Sequence, residues 1–355
     1  MLQAAYCRYL LHFKQPAITS RAVMLDKTTY FVKIWDDDNP EVYGVGECAL
    51  FKGLGADDLP DYEQRLAAAC RDITSWHRGL PLPVDPLYSS IVFGLETALA
   101  DLANGGRRVI FPSPWSNGDS AIPINGLVWM GNADDMLRRI DEKLAQGFRC
   151  VKLKIGGIDF DEELRLINYI RESYPASTLQ LRLDANGAFT PDNALNHLDR
   201  LARYDIHSIE QPIKPRQWDA MSRISRESPI DIALDEELIG IVTLDRMEEM
   251  LDVIMPRYII LKPSLCGGFG KASSWISEAD KRSIGRWVTS ALESNVGLNA
   301  IAQWTATLDT RDMPQGLGTG ALYTDNITSP LKQTGDVLRY DPEASWLIPQ
   351  LPWKR

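Results

Sequence analysis

Four short runs in the middle of the chain end alike, each an apolar strand closing on one charged residue. LQLRLD stops at Asp184, HSIE at Glu210, DIALD at Asp235 and YIILK at Lys262, at intervals of 26, 25 and 27 residues. Such an interval accommodates one strand, one helix and their loops, so each run opens a βα unit. Repeated βα units require parallel strands, and parallel strands put all of these charged ends on one edge of the sheet. Three further runs have strand character: AIPINGLVW, CVKLKI and RWVTSALES. A weaker eighth lies near GLGTG at 316–320, and helical patterns cover 133–146, 159–174, 192–203 and 267–282. The expected class is α/β, a (β/α)8-type barrel over 119–320.

Residues 1–118 have a different rhythm. The stretch 29–51 reads as a β-hairpin with an acidic turn at Asp36–Pro40, and SSIVFGLETALADLANGG as a helix stopped by Gly105 and Gly106. This predicts an α+β N-terminal domain, joined to the barrel through FPSPWSNGDS at 111–120. The tail, 321–355, is turn-rich and is expected to pack back on that first domain.

In a barrel the polar strand ends meet. Neighbouring strands lie ~4.8 Å apart, so Asp184, Glu210 and Asp235 on consecutive strands should converge at one height. Three carboxylates so close do not all stay ionised without a cation. Oxygen-only ligands on rigid strands suit a hard divalent ion, Mg²⁺ or alternatively Mn²⁺. For any single one of these acids, capping the following helix is the competing reading.

In CVKLKIGG, at 150–157, Lys152 and Lys154 alternate with apolar residues and so share a face. A solvated outer face is the ordinary explanation, but the barrel directs them inward, with Lys262 opposite, four strands away. Two ammonium groups ~6.5–7 Å apart repel by roughly 2 kcal/mol at an effective dielectric near 20. That favours a neutral amine only if a cation offsets the three carboxylates. A metal ion beside a lysine base suits removal of a proton next to a carboxylate, where the dianionic enediolate needs charge stabilisation.

The totals narrow the partners. The net charge of −10 argues against nucleic acid and anionic membranes, and no apolar run reaches the ~18 residues of a membrane span. The N-terminal stretch has no signal-peptide pattern. Five scattered cysteines without a C-x-x-C pair fit a reducing cytoplasm rather than a disulfide framework. A small-molecule carboxylate substrate is expected; oligomeric state is not legible.

With these residues in view, the chain resembles the enolase superfamily, in its muconate-lactonizing-enzyme-like subgroup. The marks are K-L-K at 152–154, D-A-N at 184–186, E-Q-P at 210–212, D-E at 235–236 and L-K-P at 261–263. The resemblance implies that the first domain caps the barrel. It implies Lys154 as the base and, once protonated, as the acid on the same face, Lys152 as a holder of the carboxylate and Lys262 over the opposite face. It also implies Asn186 and Glu236 as partners of the metal ligands and Arg182 in an electrostatic supporting role, a structural salt bridge being its equal alternative. PINGLVWMG, LRLDANGAF, SALESNVGLNAIAQW and GLGTGALYTDN point to one branch of that subgroup. The implied reaction is syn loss of water from 2-succinyl-6-hydroxy-2,4-cyclohexadiene-1-carboxylate, a step of menaquinone biosynthesis. Ser290, Ser294 and the amides near Gly316 and Gly318 are then candidates for the succinyl carboxylate, and Lys14–Ser20 with Phe51–Gly55 for loops over the substrate. Dipeptide epimerisation or N-acylamino acid racemisation is the alternative, then muconate lactonisation, and last a non-catalytic metal-binding barrel. The acidic D-x-D that epimerases carry at strand eight is absent from GLGTG. The four histidines lie away from the motifs and read as structural.

Overall fold

The computed structural model describes residues 1–18, 23–75, 82–310 and 313–355. Its first domain is a three-stranded antiparallel sheet in the order β1 (Leu2–Ile18), β2 (Val23–Asp36), β3 (Asn39–Cys48). The hairpin expected at 29–51 is the β2–β3 pair. β1 lacks a clean two-residue alternation and its register against β2 shifts between His12 and Ala17, so the sequence pattern does not reveal it. Helices α1 (Tyr62–Asp72) and α2 (Ser89–Ala103) cover this sheet. α2 sits almost on the backbone of β3: a Cβ at Gly44 would lie 1.8 Å from the Ala98 oxygen, and one at Gly46 1.9 Å from the Gly94 oxygen. Only glycine at 44 and 46 permits that approach.

The second domain follows the βα rhythm. After the short β4 (Ile122–Pro123) come β5 (Gly126–Val128), α3 (Ala133–Ala145), β6 (Cys150–Lys154), α4 (Phe160–Ser173), β7 (Gln180–Asp184) and α5 (Ala194–Ala202). Then follow β8 (Ser208–Glu210), α6 (Trp218–Glu227), β9 (Ile232–Leu234), α7 (Leu244–Ile254), β10 (Tyr258–Leu261), α8 (Gly268–Lys281), β11 (Gly285–Val288) and α9 (Asn295–Thr305). β5 to β11 form one parallel sheet in sequence order. The eighth strand is reduced to Gln315 and Gly316: Gln315 bridges to Ile124 beside β5, and Gly316 to Thr289 beyond β11. Backbone bonds from Gln315 N to Pro123 O and from Gly316 N to Val288 O, both 2.8 Å, close the ring. GLGTG looked weak as a strand because only its first residue pairs.

The tail adds β12 (Leu331–Thr334) and β13 (Val337–Tyr340), which pair with each other and with β4. It then reaches β1, where Tyr6 and Lys354 exchange backbone bonds of 2.9 and 2.7 Å. All five cysteines are buried and unpaired. Among the described residues, no helix is long and apolar enough to cross a membrane.

Candidate active site

Strand direction places the lysines. In β6 every residue is buried, and Lys152 and Lys154 are each 7% exposed, so the alternation separates barrel interior from helix layer rather than protein from water. Lys154 pairs in register with Asp184, and Asp184 with Glu210. Glu210, however, pairs with Ala233, two residues before Asp235. The acids therefore climb instead of sharing one height, as tilted barrel strands require.

The side chains also differ from the expected three-carboxylate cluster. Among the described residues no three acidic, histidine or cysteine side chains are grouped as a metal ion requires. Each acid is held by an opposed ammonium group. Lys152 Nζ lies 2.8 Å from Asp184 Oδ2 and 2.6 Å from Glu210 Oε2. Lys154 Nζ donates to Asp184 Oδ2 at 2.9 Å and to Asn186 Oδ1 at 2.6 Å, and Lys262 donates to Asp235. Opposite charges brought together in a buried interior pair with one another.

The electrostatics follow. Burial would raise the Asp184 pKa, but Lys152 and Lys154 outweigh it and hold the carboxyl far below the usual range. Glu210 goes the other way: burial and then the Asp184 charge push it well up. Burial pulls Lys152 down, but Asp184, Glu210 and Asp235 more than reverse this, so it remains an ammonium. Lys262 is raised in the same way: burial opposes, and Asp235, Glu210 and Glu236 prevail.

The donor types suit a hard divalent cation, although the lysines and not one another are their immediate neighbours. The set is oxygen-only, it comes from three consecutive strands, and Glu210 Oε1 is buried with no hydrogen-bond partner among the described residues. Asn186 ties the set together: its N–H donates to Asp184 Oδ1 at 3.0 Å, and its Nδ2 to Glu236 Oε1 at 2.9 Å.

A cavity of about 940 Å³, counting its open mouth, lies over these groups. Lys152, Lys154, Asp184, Asn186, Lys262, Ser290, Gly316 and Gly318 line it, and Met24, Phe51 and Leu54 of the first domain cover it. Of the two candidate covering loops, Phe51–Gly55 therefore contributes lining. Lys14–Ile18 belongs to β1 and does not line it, and Thr19 and Ser20 lie outside the described residues.

Four expectations need correction or refinement. Ser294 is not in the cavity. Its hydroxyl donates to Glu47 Oε2 at 2.5 Å and accepts from Val296 N, capping α9. Ser290 lines the cavity but has no capacity left for a carboxylate. Its hydroxyl donates to Glu293 Oε2 at 2.6 Å and accepts from Thr319 Oγ1 and Leu292 N. The Gly316 amide is likewise spent, on Val288 O. Arg182 touches none of the acids. It lies one layer deeper, donating to Pro314 O at 2.9 Å with its guanidinium 4.2 Å from the Trp287 ring, and its charge acts on Glu210 only at a distance.

His12 pairs with Asp325, His197 packs on Phe160 and Phe189, and His207 on Tyr258, all away from the cavity. His77 lies outside the described residues. Several lining residues escaped the sequence reading, Trp129 and Thr319 among them. Trp129, whose ring centroid is 5.7 Å from Lys154 Nζ, was legible as the inward neighbour of Leu127 on a two-residue period. Thr319 had no such signal, because no ladder extends past Gly316.

Known proteins resemble this chain over most of its length. Residues 135–338 match the family described as enolase C-terminal domain-like. An o-succinylbenzoate synthase from Desulfotalea psychrophila is 45% identical over 371 residues, covering 95% of this chain and 98% of its own. The one from Klebsiella pneumoniae is 28% identical, covering 84% and 85%. The crystal structure of MenC from Desulfotalea psychrophila superposes with a TM-score of 0.80 at 42% identity, covering 95% of this chain and 99% of that one. The L-Ala-D/L-Glu epimerase of Bacillus subtilis superposes at 0.77 with 18% identity, covering 95% of each chain, a likeness of fold alone.

Proposed function

This chain belongs to the enolase superfamily, and from that premise we propose that it converts 2-succinyl-6-hydroxy-2,4-cyclohexadiene-1-carboxylate to o-succinylbenzoate, in menaquinone biosynthesis. The observation that carries the reading is the pair of lysine-bearing strands, β6 and β10, facing each other across the cavity with three carboxylates on the strands between them. The near-full-length likeness to the Desulfotalea synthase selects this reaction within the superfamily.

Asp184, Glu210 and Asp235 would hold the metal, Mg²⁺ by preference for its all-oxygen set. When bound, it supplies positive charge where the substrate carboxylate gains negative charge. Lys154 Nζ takes the proton from the carbon bearing the carboxylate. The electrons of that C–H bond pass through the carboxylate oxygens and return as the ring C–O bond breaks. Lys154 then gives the same proton to the departing hydroxide on the same face, so water leaves and the ring becomes aromatic. Asn186 positions Lys154 by accepting from it, with its own amide anchored on Glu236. Lys152, kept cationic by its carboxylates, attracts the substrate carboxylate. Lys262 places a second positive charge at the opposite ring face.

The test is direct. Purified protein with the cyclohexadiene acid and Mg²⁺ should form o-succinylbenzoate, and a chelator should stop it. A wild-type protein inert towards that acid with Mg²⁺ present removes the proposal.

A further inference from the structure

The cavity continues past the reacting groups. Between Asn125–Gly126 and Gly316–Gly318, which all line the cavity save Leu317, strand pairing has ended, because among the described residues the eighth strand pairs only through Gln315 and Gly316. There the lining passes to Phe148, Gln333 and Lys143 of α3. Lys143 lies close against the strand at Gly126, where a Cβ would be 3.1 Å from Lys143 Cδ and 3.2 Å from Phe148 Cγ.

Lys143 differs from the other lysines of the cavity. Lys152, Lys154 and Lys262 each hold carboxylates. Lys143 Nζ donates to the Gln146 amide oxygen at a long 3.4 Å and lies 5.1 Å from the Phe148 ring centroid. Among the described residues it makes no ion pair. Burial pulls its pKa down, a penalty that a bound anion would offset.

The wall around Ser290 has the opposite character. The Ser290 proton is committed to Glu293, and Thr319 must then donate its own proton to Ser290. The Thr319 hydroxyl therefore shows the cavity lone pairs only, and Glu293 behind it is a buried acid. A carboxylate placed there meets acceptors and negative charge.

We propose that Lys143 is the subsite for the substrate's second anion, a carboxylate on a flexible arm that enters the gap between the first and eighth strands. The Glu293–Ser290–Thr319 chain turns that arm away from the other wall. This rests on the proposed reaction, whose substrate carries a succinyl arm.

The experiment is titration calorimetry of o-succinylbenzoate with Mg²⁺, beside its arm methyl ester, against wild type, Lys143→Met and Thr319→Val. Methionine keeps the alkyl packing on Phe148, and Lys143→Gln serves as a second charge-free variant should the first not fold. The expected result is a loss of about ten-fold or more in diacid affinity at Lys143→Met, the scale of one charge-assisted hydrogen bond, with the ester unaffected. In turnover, KM should rise with kcat nearly unchanged. Thr319→Val should keep the preference for acid over ester. The proposal is overturned if Lys143→Met keeps that preference, or if Thr319→Val erases it. Because binding is read separately from turnover, a protein that binds the diacid through Lys143 yet fails to dehydrate its precursor would sink the reaction and not the subsite.

Discussion

Glu47 in the capping sheet and Glu210 on the fourth barrel strand are equally buried, at 0% and 2% exposure, yet their surroundings differ in kind. Glu47 is saturated by fixed donors. Oε1 accepts from Thr29 Oγ1 and Ser294 N, and Oε2 from Ser294 Oγ and Gly297 N, all between 2.5 and 3.0 Å. Glu210 has one lysine on Oε2, no partner on Oε1 among the described residues, and two acids nearby. Burial therefore does not mark a site. Incomplete satisfaction among like charges does, because a fold has no reason to keep such crowding unless it is used. The capping-domain acid is a fastener between β3 and α9; the barrel acid keeps one carboxylate oxygen unsatisfied among the described residues.

The largest effect should come from the barrel side. Lys154→Ala should lower kcat/KM for the proposed dehydration by about 10³-fold or more, the scale of losing a positioned acid–base group. Steady-state kinetics measures this, and a melting temperature within a few degrees of wild type would assign the loss to chemistry. Retained activity would take the base away from Lys154.

Next comes a fastener. Glu47→Gln removes the charge and turns an NH2 towards one backbone N–H, of Ser294 or Gly297, so that bond becomes donor against donor, while the hydroxyl beside it, of Thr29 or Ser294, must turn its proton elsewhere. A destabilisation of about 2–3 kcal/mol is expected, read by chemical denaturation. An unchanged denaturation midpoint would show that the saturated network is ornamental.

The sequence told these two acids apart only in part. The interval of 25 to 27 residues was legible because a βα unit has a nearly fixed length, and it placed Asp184, Glu210, Asp235 and Lys262 on neighbouring strands. The stagger between Glu210 and Asp235 was not legible, because barrel tilt depends on ring closure and not on any local run. Ser294 looked like a ligand-binding serine because its hydrogen-bond partner, Glu47, lies 247 residues away. Ser290 misled in the same way. Sequence shows which groups are present, but whether a hydroxyl still has a proton to give depends on contacts across the chain. The Gly44 and Gly46 approach to α2 was equally hidden, since a missing side chain leaves no periodic mark.

A smaller effect concerns pH. Glu96 accepts from Phe269 N at 2.5 Å and Gly270 N at 3.4 Å, joining the capping helix α2 to the start of α8. Burial pushes its pKa up to about 7 against these two amides. The folded state therefore holds the proton over a range where the unfolded chain has lost it. This contribution to stability is complete below about pH 4.5, falls as pH rises towards 7 and is gone above it. Glu96→Gln should flatten that fall, by about 1–2 kcal/mol after allowing for partial exposure. Denaturation midpoints at pH 5 and pH 8 check it, and equal slopes in wild type and variant would contradict it.

The smallest effect is the sharpest test of the comparison. Glu210→Gln makes the same edit as Glu47→Gln in an equally buried place. Here the amide oxygen can still accept from Lys152, and removing the charge relieves repulsion from Asp184 and Asp235. Loss of attraction to Lys152 and Lys262 and relief of repulsion from Asp184 and Asp235 oppose each other, so stability should change by no more than about 1 kcal/mol. Divalent-cation binding, read by calorimetry, should nonetheless weaken markedly, because an anionic oxygen ligand has gone. If Glu210→Gln destabilised the fold as much as Glu47→Gln, Glu210 would be a fastener too, and the contrast between the two domains would disappear.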